Sequence, residues 1–117
     1  MLVIGERINA RRKRISIAIH ERDAAFVARE ARDQAEAGAD ALDCRADRGA
    51  READDLGWLV SVVRAAADVA IAIDSGSPDA IRTALEQAGN RPIINATATP
   101  PDRLDAILDL AAENGCR

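Results

Sequence analysis

Tyrosine is absent from the 117 residues, and Phe26 and Trp58 are the only other aromatic side chains. An aromatic share of 2% leaves almost nothing on which unpaired bases stack, so a single-stranded nucleic-acid platform is disfavoured. Cysteine is nearly as scarce. Cys44 and Cys116 are too few for a disulfide framework, and His20, the single histidine, does not complete a zinc site with them. No metal is expected. No apolar run approaches the about 20 residues that cross a bilayer, and Met1 to Asn9 is strand-like, without a basic leader or cleavage site. A cytoplasmic protein with no membrane partner is the expectation. A strong excess of either charge is also missing. Sixteen Lys+Arg against 20 Asp+Glu give a net charge of −4, which disfavours a general polyanion binder and leaves room only for a local basic patch.

What is present is a balanced globular composition, 48% hydrophobic and 31% charged, in a length that suits one domain over 1–117. That length is about half of the roughly 250 residues of a complete (β/α)8 barrel. Four apolar runs, Leu2 to Ile8, Ala41 to Cys44, Val69 to Ile73 and Pro92 to Asn95, are short and rich in Val, Ile or Leu and read as buried strands. Between and after them lie stripes of helical period. Val27, Ala31 and Ala35 form the first, and Leu56, Leu59, Val60, Val63 and Ala67 the second; Ile81, Ala84, Leu85 and Ala88 form the third, and Leu104, Ile107, Leu108 and Ala111 the fourth. Ser77-Pro78 and Thr99-Pro100 place a capping hydroxyl before a proline at a helix start, and Gly38, Gly89 and Gly115 stand where helices end. The predicted order is βαβαβαβα, with parallel strands and right-handed crossovers.

Two architectures satisfy that order: a small doubly wound sheet with helices on both faces, or a (βα)4 half of a TIM barrel. In both, function gathers at the carboxyl ends of the strands. Polar residues occur at all four predicted ends: Glu6, Arg7 and Asn9, then Asp43 and Arg45, then Asp74 and Ser75, then Asn95 and Thr97. Two carboxylates and an amide on neighbouring strand ends match a flat heterocycle bearing donors and acceptors, such as a pterin or purine edge. Asp74 and Asn95 also suit turns and helix caps, and spacing alone leaves both roles open.

Four segments in order, Gly5-Glu6-Arg7-Ile8-Asn9, Ala37-Gly38-Ala39-Asp40-Ala41-Leu42-Asp43, Ile73-Asp74-Ser75 and Ile93-Ile94-Asn95-Ala96-Thr97, resemble the first half of the pterin-binding methyltransferases. These enzymes move a methyl group between methyltetrahydrofolate and a corrinoid protein. They are related to the folate domain of cobalamin-dependent methionine synthase and to dihydropteroate synthase. The resemblance implies that Asp74 and Asn95 hydrogen-bond a pterin, with Asp43 lining the same mouth; Asn9, at the end of the first predicted strand, is expected to join them as a binding residue. It implies methyltetrahydrofolate or a related pterin as ligand, and cobalamin only through a corrinoid partner. One departure stands out: the family usually has Asn two residues after the second-strand Asp, where this chain has Arg45, a permanent cation.

A four-stranded half-barrel leaves two strand edges and an inner face open. The expectation is a homodimer in which strand four of each copy meets strand one of the other, closing a barrel-like assembly. Arg11-Arg12-Lys13-Arg14, with Arg7 nearby, is expected in the loop after strand one on the mouth face. There it would meet a folate tail, a corrinoid carrier or a phosphate, or serve as a solvated loop. Cys44 is read as buried packing rather than a nucleophile, His20 as a surface or capping residue approaching the first helix, and Trp58 and Phe26 as packing residues. The functional expectation is a pterin-binding, methyltransferase-like protein, weak or inactive alone. The alternatives are a non-catalytic, self-associating half-barrel scaffold and a phosphate or nucleotide binder using the basic loop.

Overall fold

A computed structural model of the chain describes residues 4, 5, 8, 13–47, 49–89, 92–95 and 101–113. The elements are β1 (Ile4–Gly5), α1 (Lys13–Glu21), α2 (Ala24–Glu36), β2 (Ala41–Cys44), α3 (Glu52–Ala66), β3 (Ala70–Asp74), α4 (Pro78–Ala88), β4 (Ile93–Asn95) and α5 (Pro101–Glu113). The strands pair in parallel in the order β1-β2-β3-β4. Each right-handed crossover therefore steps the same way across the sheet, which puts successive helices on one face. A doubly wound sheet requires a reversal of strand order, and none occurs among the described strands. The α/β arrangement is consistent with half of a TIM barrel.

Period-2 alternation divides the strands between two faces. Leu42, Cys44, Ile71, Ile73 and Ile94 belong to the apolar cluster that also holds Val27 and Ala31 of α2, Leu56, Leu59, Val60 and Val63 of α3, and Ile81, Ala84 and Leu85 of α4. The alternate positions Ala41, Asp43, Ala70, Ala72 and Ile93 lie outside that cluster. Gly5 belongs to the helix side. A Cβ there would collide with Gln34 Oε1 of α2 and lie 2.9 Å from Leu42 Cδ2, so the close approach of α2 to the sheet accounts for a glycine at this point.

The predicted punctuation recurs where the residues are described. Ser77 caps α4, its Oγ accepting from the Ala80 N–H at 3.3 Å, with Pro78 as the first helical residue. Gly38, at φ +103°, closes α2. Its N–H donates to Ala35 O at 3.1 Å, and the Ala39 N–H donates to Gln34 O at 3.1 Å, the paired bonds of a Schellman ending. Thr99, Pro100 and Gly115 lie outside the described residues.

Three expectations need correction. The described residues form five helices rather than four, because Lys13–Glu21 is helical and buries Ile15, Ala18 and Ile19. Lys13 and Arg14 therefore open a helix instead of lying in a loop, and His20 is in its last turn rather than approaching a helix. The signals that usually mark such a helix are inverted. Its first turn has no acidic residue and carries cations, against the macrodipole, and its left-handed terminating residue is Arg22 at φ +56° instead of glycine. The Arg22 N–H donates to Ile19 O at 3.2 Å and the Asp23 N–H to Ala18 O at 2.8 Å, so the ending has Schellman geometry without its usual residue. Asp23 then caps α2, accepting from the Phe26 N–H at 3.2 Å.

The third correction concerns Leu108, expected on the buried stripe of the last helix. Ile107 is 2% exposed but Leu108 is 56% exposed, because α5 packs against α4 at the end of the helix layer. At the opposite edge Ile4 of β1 is 40% exposed.

Candidate functional site

The face of the sheet turned away from the helices is graded from small to polar. Register places Ala41 beside Ala70, then Asp43 beside Ala72 and Ala72 beside Ile93, and finally Asp74 beside Asn95. Arg45, one step beyond the Cys44 and Ile73 pair, completes the last row. Small side chains thus floor a polar row at the carboxyl ends of the strands, the place where parallel α/β sheets bind ligands.

Asp43 is buried at 6% exposure, one layer below that row and on the same face. Asp74 faces Arg45, whose Nη1 lies 3.5 Å from Asp74 Oδ2, with both side chains about one-fifth exposed. This is an ion pair at a longer separation than a strong charge-assisted hydrogen bond. The backbone N–H of Arg45 donates to Ile8 O at 3.3 Å, which ties Ile8 to the end of β2. Asn95 ends β4 directly opposite Asp74 in register; its side chain lies outside the described residues, as do Asn9, Arg7, Arg11, Arg12, Glu6 and Thr97. The structure therefore brings Asp43, Asp74 and the backbone of Asn95 together on one face.

A second polar cluster, of which the sequence singles out Ser75 but not Glu52, stands immediately behind this row. The Ser75 hydroxyl donates to Glu52 Oε2 at 2.6 Å, and Ser75 Oγ accepts from the Ser77 N–H at 3.0 Å. Glu52 and Ser75 are 8% and 6% exposed. Glu52 is the first residue of α3, and its N–H donates to Gly49 O at 3.2 Å. In the sequence it is one of three acids in a helix's first turn, a pattern explained by the macrodipole alone, so nothing local distinguishes the buried one.

The remaining candidates separate from the row. Burial pushes the Cys44 thiol well above its ordinary range, and the adjacent Asp43 charge adds to the effect, so the thiol stays protonated and packs on the helix side. The Arg14 guanidinium lies 5.0 Å from the Phe26 ring centroid and that of Arg22 5.1 Å from the Trp58 ring centroid, which covers both aromatics with the chain's own cations. Arg22 also bridges to Asp55 at 2.8 Å. Ser16 of α1 donates to Asp47 Oδ2 at 3.1 Å, so α1 stands beside the loop that leaves β2. Among the described residues no three His, Cys, Asp or Glu side chains converge as metal ligands. No described helix is long and apolar enough to cross a membrane. An open cleft of about 490 Å³ between the carboxyl ends of α3 and α4, lined by Arg64, Asp68 and Val69 among others, lies at the opposite end of β3 from the polar row.

The arrangement is suited to holding a planar, hydrogen-bonding ring. Asp74 offers carboxylate oxygens for parallel N–H donors, an amide residue stands opposite in register, and alanines leave depth beneath. Comparison with known proteins agrees with this chemistry. A methylcorrinoid:tetrahydrofolate methyltransferase of Eubacterium limosum is 30% identical over 111 residues, covering 94% of this chain and 41% of that enzyme. The chain thus spans well under half the length of that relative. The family model of the pterin binding enzymes matches residues 5–117, nearly the whole sequence, and the chain belongs to that family.

Proposed function

We propose that the chain binds a reduced folate, methyltetrahydrofolate or a close pterin relative, at the row formed by Asp74 and Asn95 with Asp43 below. The observation that carries this reading is the register of β3 and β4, which sets Asp74 directly opposite Asn95 at a strand end in a pterin-binding family. Asp74 anchors N–H groups of the ring, Asn95 supplies complementary donor and acceptor groups, and Asp43 supports them from the layer beneath. Asn9 borders the ring, while Arg7, Arg11 and Arg12 offer contacts for an anionic tail. The reaction served is methyl transfer between the folate and a corrinoid carried by a partner protein, in the cytoplasm.

Calorimetry with methyltetrahydrofolate tests the binding. Asp74→Ala is expected to weaken affinity by about 1.5–3 kcal/mol, the scale of a hydrogen bond to a charged group. No heat from the wild type, or equal affinity of wild type and variant, overturns the reading.

A second reading, a self-associating scaffold, draws support from the exposed Ile4 and Leu108 at opposite edges of the sheet and helix layers. Two copies joined edge to edge would restore eight strands and cover both side chains. Sedimentation equilibrium of this chain at micromolar concentration should then give a dimer that Leu108→Lys weakens. A monomer at every concentration sinks the paired arrangement.

A further inference from the structure

We propose that Glu52 is a positioning residue for Asp74, acting through Ser75 to hold the β3–α4 turn in its ligand-accepting geometry. The inference deepens the folate-binding reading and rests on it. Asp74 and Ser75 are consecutive, so whatever fixes Ser75 limits the backbone from which the Asp74 carboxylate projects. Three observations converge on Ser75. Its hydroxyl hydrogen points at Glu52 Oε2 across a buried 2.6 Å bond, its oxygen accepts the Ser77 N–H, and Ser77 in turn caps α4. The hydroxyl is thus used as donor and acceptor at once, and the turn between β3 and α4 is fastened at Ser75 and Ser77.

The tie also runs between the two strands that matter. Glu52 begins the helix that follows β2, the strand leading into Arg45, and Ser75 follows β3, the strand ending in Asp74. The Glu52 to Ser75 bond therefore links the two strand-end connections whose separation sets the 3.5 Å Arg45 to Asp74 contact. Burying a carboxylate is costly without strong partners, and Glu52 has a short hydrogen bond from a neutral hydroxyl rather than a cation. A glutamine would serve the hydrogen bond equally well if geometry is what counts.

The experiment compares the wild type with Glu52→Ala, Glu52→Gln, Ser75→Ala and the Glu52→Ala/Ser75→Ala double variant, each first checked for native circular dichroism. Methyltetrahydrofolate affinity should fall about ten-fold in Glu52→Ala and in Ser75→Ala, the scale at which outer partners act on the groups they orient. The double variant should fall no further, because both changes break one connection. Glu52→Gln should restore affinity to within about two-fold. Amide hydrogen exchange of residues 74–77 in the free protein should accelerate in the alanine variants and not in Glu52→Gln. Affinity that is unchanged in both alanine variants, or losses that simply add, overturns the positioning role. Should the wild type bind no folate, the binding reading fails separately, and the exchange rates decide: faster exchange at 74–77 upholds the tie, and unchanged exchange overturns it. Ser75→Ala, a small change, keeps the test available if Glu52→Ala does not fold.

Discussion

Arg45 and Asp74 meet at 3.5 Å across the ends of β2 and β3, so the carboxylate proposed to hold a pterin already has a cation beside it. A partly solvated pair at this separation contributes little to folding, but it bears directly on what the site accepts. A ring N–H approaching Asp74 shares the carboxylate with the guanidinium, and the fixed positive charge disfavours adding a proton to a bound heterocycle.

Arg45→Asn should therefore tighten methyltetrahydrofolate binding by up to about five-fold, the worth of a partly solvated ion pair. It should also raise any transfer from methyltetrahydrofolate to free cob(I)alamin, followed by the absorbance change of the corrinoid. Calorimetry that finds weaker binding in Arg45→Asn would instead make Arg45 a ligand contact.

Cys44 sets an alkaline limit on stability. Burial and the Asp43 charge keep its proton on in the folded chain, whereas the unfolded thiol releases it near pH 9. The raised folded value means that the contribution of Cys44 is complete below pH 9 and is lost as pH rises above it, by at most about 1.4 kcal/mol per pH unit. The background is quiet, since the chain has no tyrosine and Lys13 is its only lysine. Urea unfolding at pH 8 and pH 10 should show a decline in the wild type that is largely missing from Cys44→Ala; equal declines would exclude this origin.

Arg22 holds a left-handed backbone at φ +56°, which costs a residue with a Cβ about 1–2 kcal/mol. Arg22→Ala and Arg22→Gly both lose the Asp55 bridge and the Trp58 contact, but only glycine relieves the backbone. Thermal or urea unfolding should rank Arg22→Gly above Arg22→Ala by about 1 kcal/mol. Equal stability would show that the turn relaxes in the variants.

Gly57 of α3 lies against Thr83 of α4: a Cβ there would be 2.9 Å from Thr83 Cγ2. Alanine gains about 1 kcal/mol of helix propensity and loses about 1–3 kcal/mol to overpacking, so Gly57→Ala should destabilise by about 1 kcal/mol. Thr83→Ser removes the offending methyl. In that background the same substitution should stabilise, and a destabilisation of equal size in both backgrounds would place the strain elsewhere.

Much of this architecture can be read from the chain because its signals are local. Ala41–Cys44 is a strand with the expected bounds, the Leu56, Leu59, Val60 and Val63 stripe is fully buried, and Ser77-Pro78 opens α4 as its chemistry dictates. Asp43 and Asp74 are legible as strand-end carboxylates for the same reason. What escaped notice depends on distant partners. The first helix hides behind cations and an arginine ending because tertiary contacts to Trp58 and Asp55 hold Arg22 in place. The buried bond from Ser75 to Glu52 joins residues 23 apart, and no periodicity connects them. Leu108 has an ordinary helical spacing; its exposure follows from its helix being last in the layer.

That one-directional strand order has a geometric corollary. Among the described strands every connection advances one place in the same direction, so the two margins of the sheet are unlike, with β1 at one and β4 at the other. A further parallel strand laid beside β4 would bring its carboxyl end next to Asn95 and lengthen the polar row from that side, whereas one laid beside β1 would lengthen it from the far side.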